Sequence, residues 1–302
     1  RMDAYPTTAY LLSGSRCLMN CAFCPQGSGD RESLKKLGRV SWPAYPWSLV
    51  EDVLPAAGKK GVKRICLQSV RHREGIGPLL EAIEKVKSLS ALPLSLSAWI
   101  NSVEEAAVLF DAGAERISIS IDVVNEEAHR KIKGGSLDSR LDLLLRCAEK
   151  KPGRMSTHLI CGLGESEEEI LSLIDKLLQG GITVALFAFT PLKGTPMESQ
   201  APPNIASYRR IQAGHYMLWK KLARFSSFQF SAGRLVSFGM PEEELTGLLG
   251  GGEAFRTSGC PDCNRPYYND RPGRTLFNYH RTLRGDEKEK ALRVLTGSHA
   301  PE

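Results

Sequence analysis

Cys17, Cys21 and Cys24 stand in a C-x3-C-x2-C run directly before Pro25-Gln26-Gly27. Three thiolates on one short loop can hold three irons of a cubane cluster and leave the fourth iron open to a chelating small molecule. Zinc is the rival ion. A structural zinc site wants four protein ligands, and no fourth Cys or His lies nearby in sequence. A redox C-x2-C pair alone would leave Cys17 unexplained. A second pair, Cys260-Pro261-Asp262-Cys263, supplies half of a tetrahedral or cluster site, with Pro and Gly around it keeping backbone amides free to bond sulfur. Cys147 falls within an amphipathic helical pattern and reads as a small core residue. Strand alternation sets Cys161 opposite an inward Ile160, which gives it the same reading. The chain has eight cysteines, an even number that would suggest disulfides in a small secreted protein. Their clustering in a chain of 302 residues points to reduced thiolates serving as ligands.

The elements that must carry these residues are legible as apolar runs alternating with helical patterns, which calls for parallel βα units. Strands are predicted over 7–13, 63–69, 93–99, 115–123, 155–161 and 182–190, and helices over about 48–60, 78–89, 102–112, 137–150, 166–179 and 204–224. The fifth helix is the clearest, because Ile170, Leu173, Ile174, Leu177 and Leu178 repeat along one face behind a Ser166 cap with Glu169 three residues on. Six units are too few to close an eight-stranded barrel, so the expected fold is α/β, a partial (β/α)6 TIM-like barrel with chemistry at the C-terminal ends of its strands. The C-x3-C-x2-C run follows the first strand, at that face. Residues 25–47 form a long loop ending in Trp42-Pro43-Ala44-Tyr45-Pro46-Trp47, and loops of that length in compact domains tend to be functional. From about 226 the pattern changes to short Gly, Pro and Arg-rich segments, including Gly250-Gly251-Gly252. The barrel is therefore expected over 1–225 and a cysteine-containing extension over 226–302.

Composition narrows the class. Hydrophobic residues make up 42% and charged residues 25%, the values of a globular chain. No apolar run approaches the roughly 20 residues that span a bilayer, and the first residues, RMDAYPTTAY, lack the apolar core of a signal peptide, so no membrane association and a cytoplasmic location are expected. The chain opens on Arg1, which leaves upstream residues open. Lys plus Arg number 40 against 34 acids, for a net charge of +6. The basic clusters are short and not interleaved with aromatics, so they read as solvated helix faces and not as a nucleic-acid platform.

At Cys17, Cys21 and Cys24, with an aromatic at Phe23, the chain resembles the radical S-adenosylmethionine (SAM) superfamily over roughly residues 7–225. The resemblance implies a [4Fe-4S] cluster on the three cysteines, SAM chelating the open iron through its amino and carboxylate groups, and Phe23 against the adenine. The order of features is similar to the biotin synthase branch in particular. That likeness implies Ser120 and Asp122 at the SAM ribose, where Ser120 departs from the family's Asn, and Arg140 at the SAM carboxylate, a task suited to a guanidinium fork. An exposed helix arginine is the bland alternative. His158-Leu159-Ile160-Cys161-Gly162-Leu163-Gly164-Glu165 resembles the family's G-x-I-x-G-x-x-E segment, which implies Ile160 and Gly162 at the adenine. Ser69, and Leu192 in the turn after the sixth strand, are further SAM contacts implied by the likeness. His158 itself reads as a satisfied structural histidine.

Biotin synthase carries an auxiliary cluster inside its barrel. Strand by strand, Cys66 matches one of its ligands, while Ser95 and Ser156 stand where two others would be, so an ordinary biotin synthase is not expected. The tail supplies the alternative: Cys66, Cys260 and Cys263 together binding a second iron-sulfur cluster, with one iron left for another ligand. A zinc half-site completed by a partner chain, and a simple buried cysteine at Cys66, stay open. Within the branch, these features resemble the second subunit of two-protein lipoyl synthases. That resemblance implies sulfur insertion into an octanoyl-lysine chain on a carrier protein or peptide, a partner radical SAM subunit, and an electron donor such as ferredoxin or flavodoxin. A radical SAM enzyme acting on a small free metabolite, or a non-catalytic iron-sulfur electron-transfer or assembly protein, are the competing readings.

Overall fold

The computed structural model describes residues 5–14, 16–27, 36–37, 40–41, 43–270 and 273–297. Six parallel strands form one open sheet in the order β1-β4-β5-β6-β7-β8. They are β1 (Thr8–Ser13), β4 (Arg64–Ser69), β5 (Leu94–Ser97), β6 (Arg116–Ser118), β7 (Met155–Cys161) and β8 (Thr183–Ala188). Two short strands, β2 (Lys36–Leu37) and β3 (Val40–Ser41), pair antiparallel inside the long loop after the cysteines. Trp42, from the aromatic stretch of that loop, lies outside the described residues.

Helices α1 (Trp47–Val53), α2 (Gly77–Leu89), α3 (Val103–Asp111), α4 (Glu126–Ile132), α5 (Leu137–Lys150), α6 (Glu167–Gln179) and α7 (Ile205–Trp219) follow the strands. Alternation along each strand sorts its side chains. Ile65 and Leu67 of β4 enter the apolar core, while Arg64, Cys66 and Gln68 line an interior cavity. In α6, Ile170, Ile174 and Leu177 are fully buried, each contributing on the order of 2 kcal/mol by area removed from water. The Ser166 hydroxyl and the Glu169 carboxylate close a capping box at its start. The α/β partial barrel expected from the sequence is the fold.

Three elements differ from expectation. The helix over 48–60 stops at Val53, because Pro55 and Gly58 pass the chain into two 3-10 turns. The helix over 204–224 stops at Trp219, and Lys221 takes a left-handed turn. The strand over 115–123 is regular only to Ser118. Beyond it the chain bends, and pairing returns as a single bridge between Asp122 and Leu159, with Asp122 at φ 64°. The tail adds a hairpin of β9 (Gln229–Ser231) and β10 (Arg234–Ser237), then α8 (Glu242–Leu249) and α9 (Gly285–Thr296).

Candidate functional site

The interior of the sheet encloses one cavity of about 280 Å³ with a set of three cysteines toward each end. Cys17, Cys21 and Cys24 reach it from the loop after β1, at the C-terminal ends of the strands. That loop is held from two sides: Leu18 N donates to Arg71 O at 3.1 Å, and Ala22 N donates to Ile132 O at 2.7 Å. Burial pushes the Cys21 thiol up to about 12, with Asp122, Cys24 and Cys17 adding to the rise and Lys133 opposing it. Thiols so placed ionise only when a bound cation compensates them, as iron would.

Phe23, Ser69, Ser120, Asp122, Arg140, Ile160 and Leu192 all line the same cavity. Gly162 stands behind the wall. It holds φ 99°, and a Cβ there would meet Pro203 Cδ at 2.9 Å, so only glycine makes this turn. Its amide and that of Leu163 donate to the Glu165 carboxylate at 2.6 and 2.8 Å. Arg140 is buried, not exposed on its helix. Its Nη1 donates to Ile100 O at 2.7 Å, its guanidinium lies 4.1 Å from the Trp99 ring centroid, and its Nε has no partner among the described residues. A guanidinium on the cavity wall with one of its buried donors left unsatisfied fits a carboxylate.

Asp122 is clamped. Lys133 Nζ lies 2.6 Å from Oδ2 and His158 Nε2 lies 2.9 Å from Oδ1. Burial alone would raise the Asp122 carboxyl, but Lys133 and His158 more than offset it and hold the group well below the usual carboxylate range. Lys133 also donates to the carbonyls of Ser120 and Ile121, bracing the bend that points Asp122 inward. Sequence reasoning missed Lys133, and no local pattern in Lys131-Ile132-Lys133-Gly134 signals it.

The second set of three gathers around the N-terminal halves of the strands. Cys66 sits in register with Tyr10 on one side and Ser95 on the other. The tail brings Cys260 and Cys263 to the same wall: Ser95 Oγ donates to Cys260 Sγ at 3.7 Å, and Tyr10 Oη lies 3.3 Å from Cys263 Sγ. Gly259 at φ 118° lets the tail press against the sheet, since a Cβ there would meet Ala185 Cβ at 2.8 Å. Burial pushes the Cys66 thiol up, and Cys260 and Cys263 push it further. Arg265 lies over Phe187 at 4.4 Å, with its Nη1 4.0 Å from Cys263 Sγ. Burial opposes its charge, but Cys263, Tyr10 and Cys260 more than offset this and raise its pKa. Cys147 and Cys161 are buried in the apolar core, away from both sets. Among the described residues, no three His, Cys, Asp or Glu side chains are gathered as around a single metal ion.

Comparison with known proteins places this geometry in a class. Residues 11–177 match the family model of the radical SAM superfamily, and the chain belongs to that superfamily. Membership implies a [4Fe-4S] cluster and SAM, and the thiols of Cys17, Cys21 and Cys24 with the unsatisfied Arg140 donor form a fitting donor set. The chain is 28% identical over 248 residues to mitochondrial biotin synthase of Arabidopsis thaliana, covering 79% of this chain and 62% of that protein. It is 24% identical over 215 residues to lipoyl synthase of Parabacteroides distasonis, covering 68% and 73%. Among solved structures, the FeFe-hydrogenase maturase HydG of Carboxydothermus hydrogenoformans aligns over 94% of this chain and 76% of its own at TM-score 0.55 and 16% identity. Methylornithine synthase (PylB) aligns over 70% and 62% at TM-score 0.54 and 16% identity. These are likenesses of fold. The chain is a radical SAM protein similar to biotin synthases and to a lipoyl synthase, and no helix among the described residues is long and apolar enough to cross a membrane.

Proposed function

We propose that this chain inserts sulfur at an unactivated C–H position of an octanoyl-lysine chain presented by a carrier protein or peptide. In this reading it works with a partner radical SAM subunit and takes electrons from a donor of the ferredoxin or flavodoxin type, and the tail over 226–302 exists to complete a second iron-sulfur site. The observation that carries the reading is Cys66, Cys260 and Cys263 lining the same cavity as Cys17, Cys21 and Cys24, with Cys263 at Tyr10 and Cys260 at Ser95, the two register neighbours of Cys66. The biotin synthase and lipoyl synthase relatives support it.

No acid or base in a protein ionises an unactivated methylene, so the reaction needs a radical source. With cluster and SAM bound at the Cys17 end, they supply a hydrogen-abstracting 5′-deoxyadenosyl radical, and a cluster at the Cys66 end supplies sulfur. The chain's own part is to place and to exclude. Arg140 receives the SAM carboxylate and Asp122, held by Lys133 and His158, receives the ribose. Phe23 and Ile160 flank the adenine, with Ser69, Ser120 and Leu192 around them. Phe187 and Tyr268, packed edge to face at 5.3 Å, wall the cavity toward the second site.

Anaerobic reconstitution with iron and sulfide counting, followed by assay on an octanoylated lysyl peptide with and without the partner subunit, tests the proposal. Replacing Cys17, Cys21 and Cys24 by Ala should abolish 5′-deoxyadenosine formation. Replacing Cys260 and Cys263 by Ser should remove one cluster's share of iron, leave 5′-deoxyadenosine formation intact, and abolish the thiolated peptide seen by mass spectrometry. Unchanged iron in the second variant would reject the second cluster. Turnover of a free metabolite, with no thiolated peptide from any sample, would favour the reading without sulfur transfer.

A further inference from the structure

We propose that Arg71 is a second carboxylate-binding guanidinium, acting with Arg140 on the amino-acid end of SAM. The proposal rests on the reading of this cavity as the SAM site. Arg71 and Arg140 come from different elements, the loop after β4 and the first turn of α5, and meet over one indole. Their guanidinium carbons lie 4.6 and 4.1 Å from the Trp99 ring centroid, so at most about 9 Å separates them. Both side chains line the cavity. Neither joins an ion pair with an acidic side chain among the described residues.

A cation over an indole is stabilised, but two like charges on the same ring repel each other, and the repulsion grows as water is excluded. Burial and the neighbouring Arg71 together pull the Arg140 guanidinium pKa down. A single carboxylate in the cavity that both guanidinium groups line would relieve both conditions at once. It supplies the missing countercharge and accepts from a donor with only a weak partner, because the Arg71 Nη1 has just the Met19 thioether at 3.2 Å.

The position of Arg71 strengthens the assignment. Its carbonyl accepts from Leu18 N and its guanidinium contacts Met19, so it is tied to the loop that carries Cys17 and Cys21. A SAM carboxylate that chelates an iron held by that loop must lie beside it. Arg140 approaches from α5, and Arg71 approaches from the loop's own side. Such a residue is a binding and positioning group whose contribution depends on the ligand's carboxylate.

The test therefore varies the ligand as well as the protein. Wild type, Arg71→Ala and Arg71→Lys are reconstituted anaerobically as full chains. Iron is counted, and SAM and decarboxylated SAM are each titrated by equilibrium dialysis. Arg71→Ala should bind SAM roughly 10- to 100-fold more weakly, the loss of a charge-assisted pair, while its affinity for decarboxylated SAM and its iron content stay at wild-type values. Arg71→Lys, which keeps the charge but not the fork, should fall between. Equal weakening toward both ligands, or iron lost in step with affinity, would overturn the proposal and leave Arg71 as a brace for the cysteine loop. Wild type showing no preference for SAM over decarboxylated SAM would instead defeat the carboxylate reading of the whole cavity.

Discussion

At the scale of single residues, the site is governed by how charges are compensated away from water. Asp122 sits in a left-handed conformation at φ 64°, which a non-glycine residue holds only when its surroundings over-determine it. Lys133 supplies that determination by binding both the carboxylate and the two carbonyls before it. Breaking a buried ion pair costs about 3 to 5 kcal/mol, and with His158 still bonded to Asp122 the loss here falls at the lower end, about 3 kcal/mol. Lys133→Met, close in length but uncharged, should lower the unfolding free energy from anaerobic urea titration by that amount and weaken SAM binding in parallel. The double variant Lys133→Met with Asp122→Asn should recover most of the stability and none of the SAM affinity. If the single variant keeps wild-type stability, the clamp does not hold the bend.

At the scale of elements, legibility followed distance along the chain. The three-cysteine run, the six strands and the capped α6 are written in spacings of a few residues, and periodicity finds them. Helix α4 escaped notice because it is seven residues of mostly charged sequence between an Asn125 cap and Lys133. Of the second thiol set, Cys260 and Cys263 are visible as a local pair, and Cys66 joins them only through the family likeness. Their meeting with Cys66 depends on a tail that returns to Ser95 from 165 residues away, and no local spacing encodes it. The Asp122 clamp was invisible for a related reason, since it depends on where a strand stops being regular. Helix α7 shows what burial does to an element's titration. His215 lies in its core-facing run, and burial lowers its pKa to about 4. The unfolded chain takes up this proton near pH 6.5 and the folded chain only near 4, so stability is flat above about 6.5 and falls as pH drops through that window. Burial likewise lowers His129, which adds to the same trend. At pH 5 the His215 contribution is roughly 2 kcal/mol of lost stability, read from urea midpoints between pH 7 and 5. His215→Leu should flatten that part of the curve, and an unchanged slope in this variant would assign the loss to other groups.

At the scale of the whole molecule, the open sheet leaves β1 and β8 as edges, and the tail spans the gap between them. Ser258 Oγ accepts from Leu186 N of β8 at 2.9 Å. Asn264 Oδ1 accepts from Thr7 N beside β1 at 3.0 Å, and its Nδ2 donates to Tyr5 O at 2.9 Å. Pro261 O accepts from Arg64 Nε of β4 at 3.0 Å, and Asn269 Nδ2 donates to Ala188 O at 2.9 Å. The contacts that satisfy exposed sheet edges are thus the ones that deliver Cys260 and Cys263 to the cavity, so closure of the barrel and assembly of the second thiol set are one event. Asn264→Ala removes its own two ties to the first edge, leaving those of Thr7 to Asp262 and Tyr10 to Cys263, a loss of roughly 1 to 3 kcal/mol. Local opening, not global unfolding, should register it: amide exchange should quicken along residues 5–12 and 258–264 while the centre of the sheet in β6 and β7 keeps its protection. Iron retention after reconstitution should fall by the share of the second cluster and leave the share held by Cys17, Cys21 and Cys24. Exchange that quickens uniformly over the sheet, or iron lost equally from both ends, would mean that the tail does not close the barrel and that the second thiol set is held by other contacts.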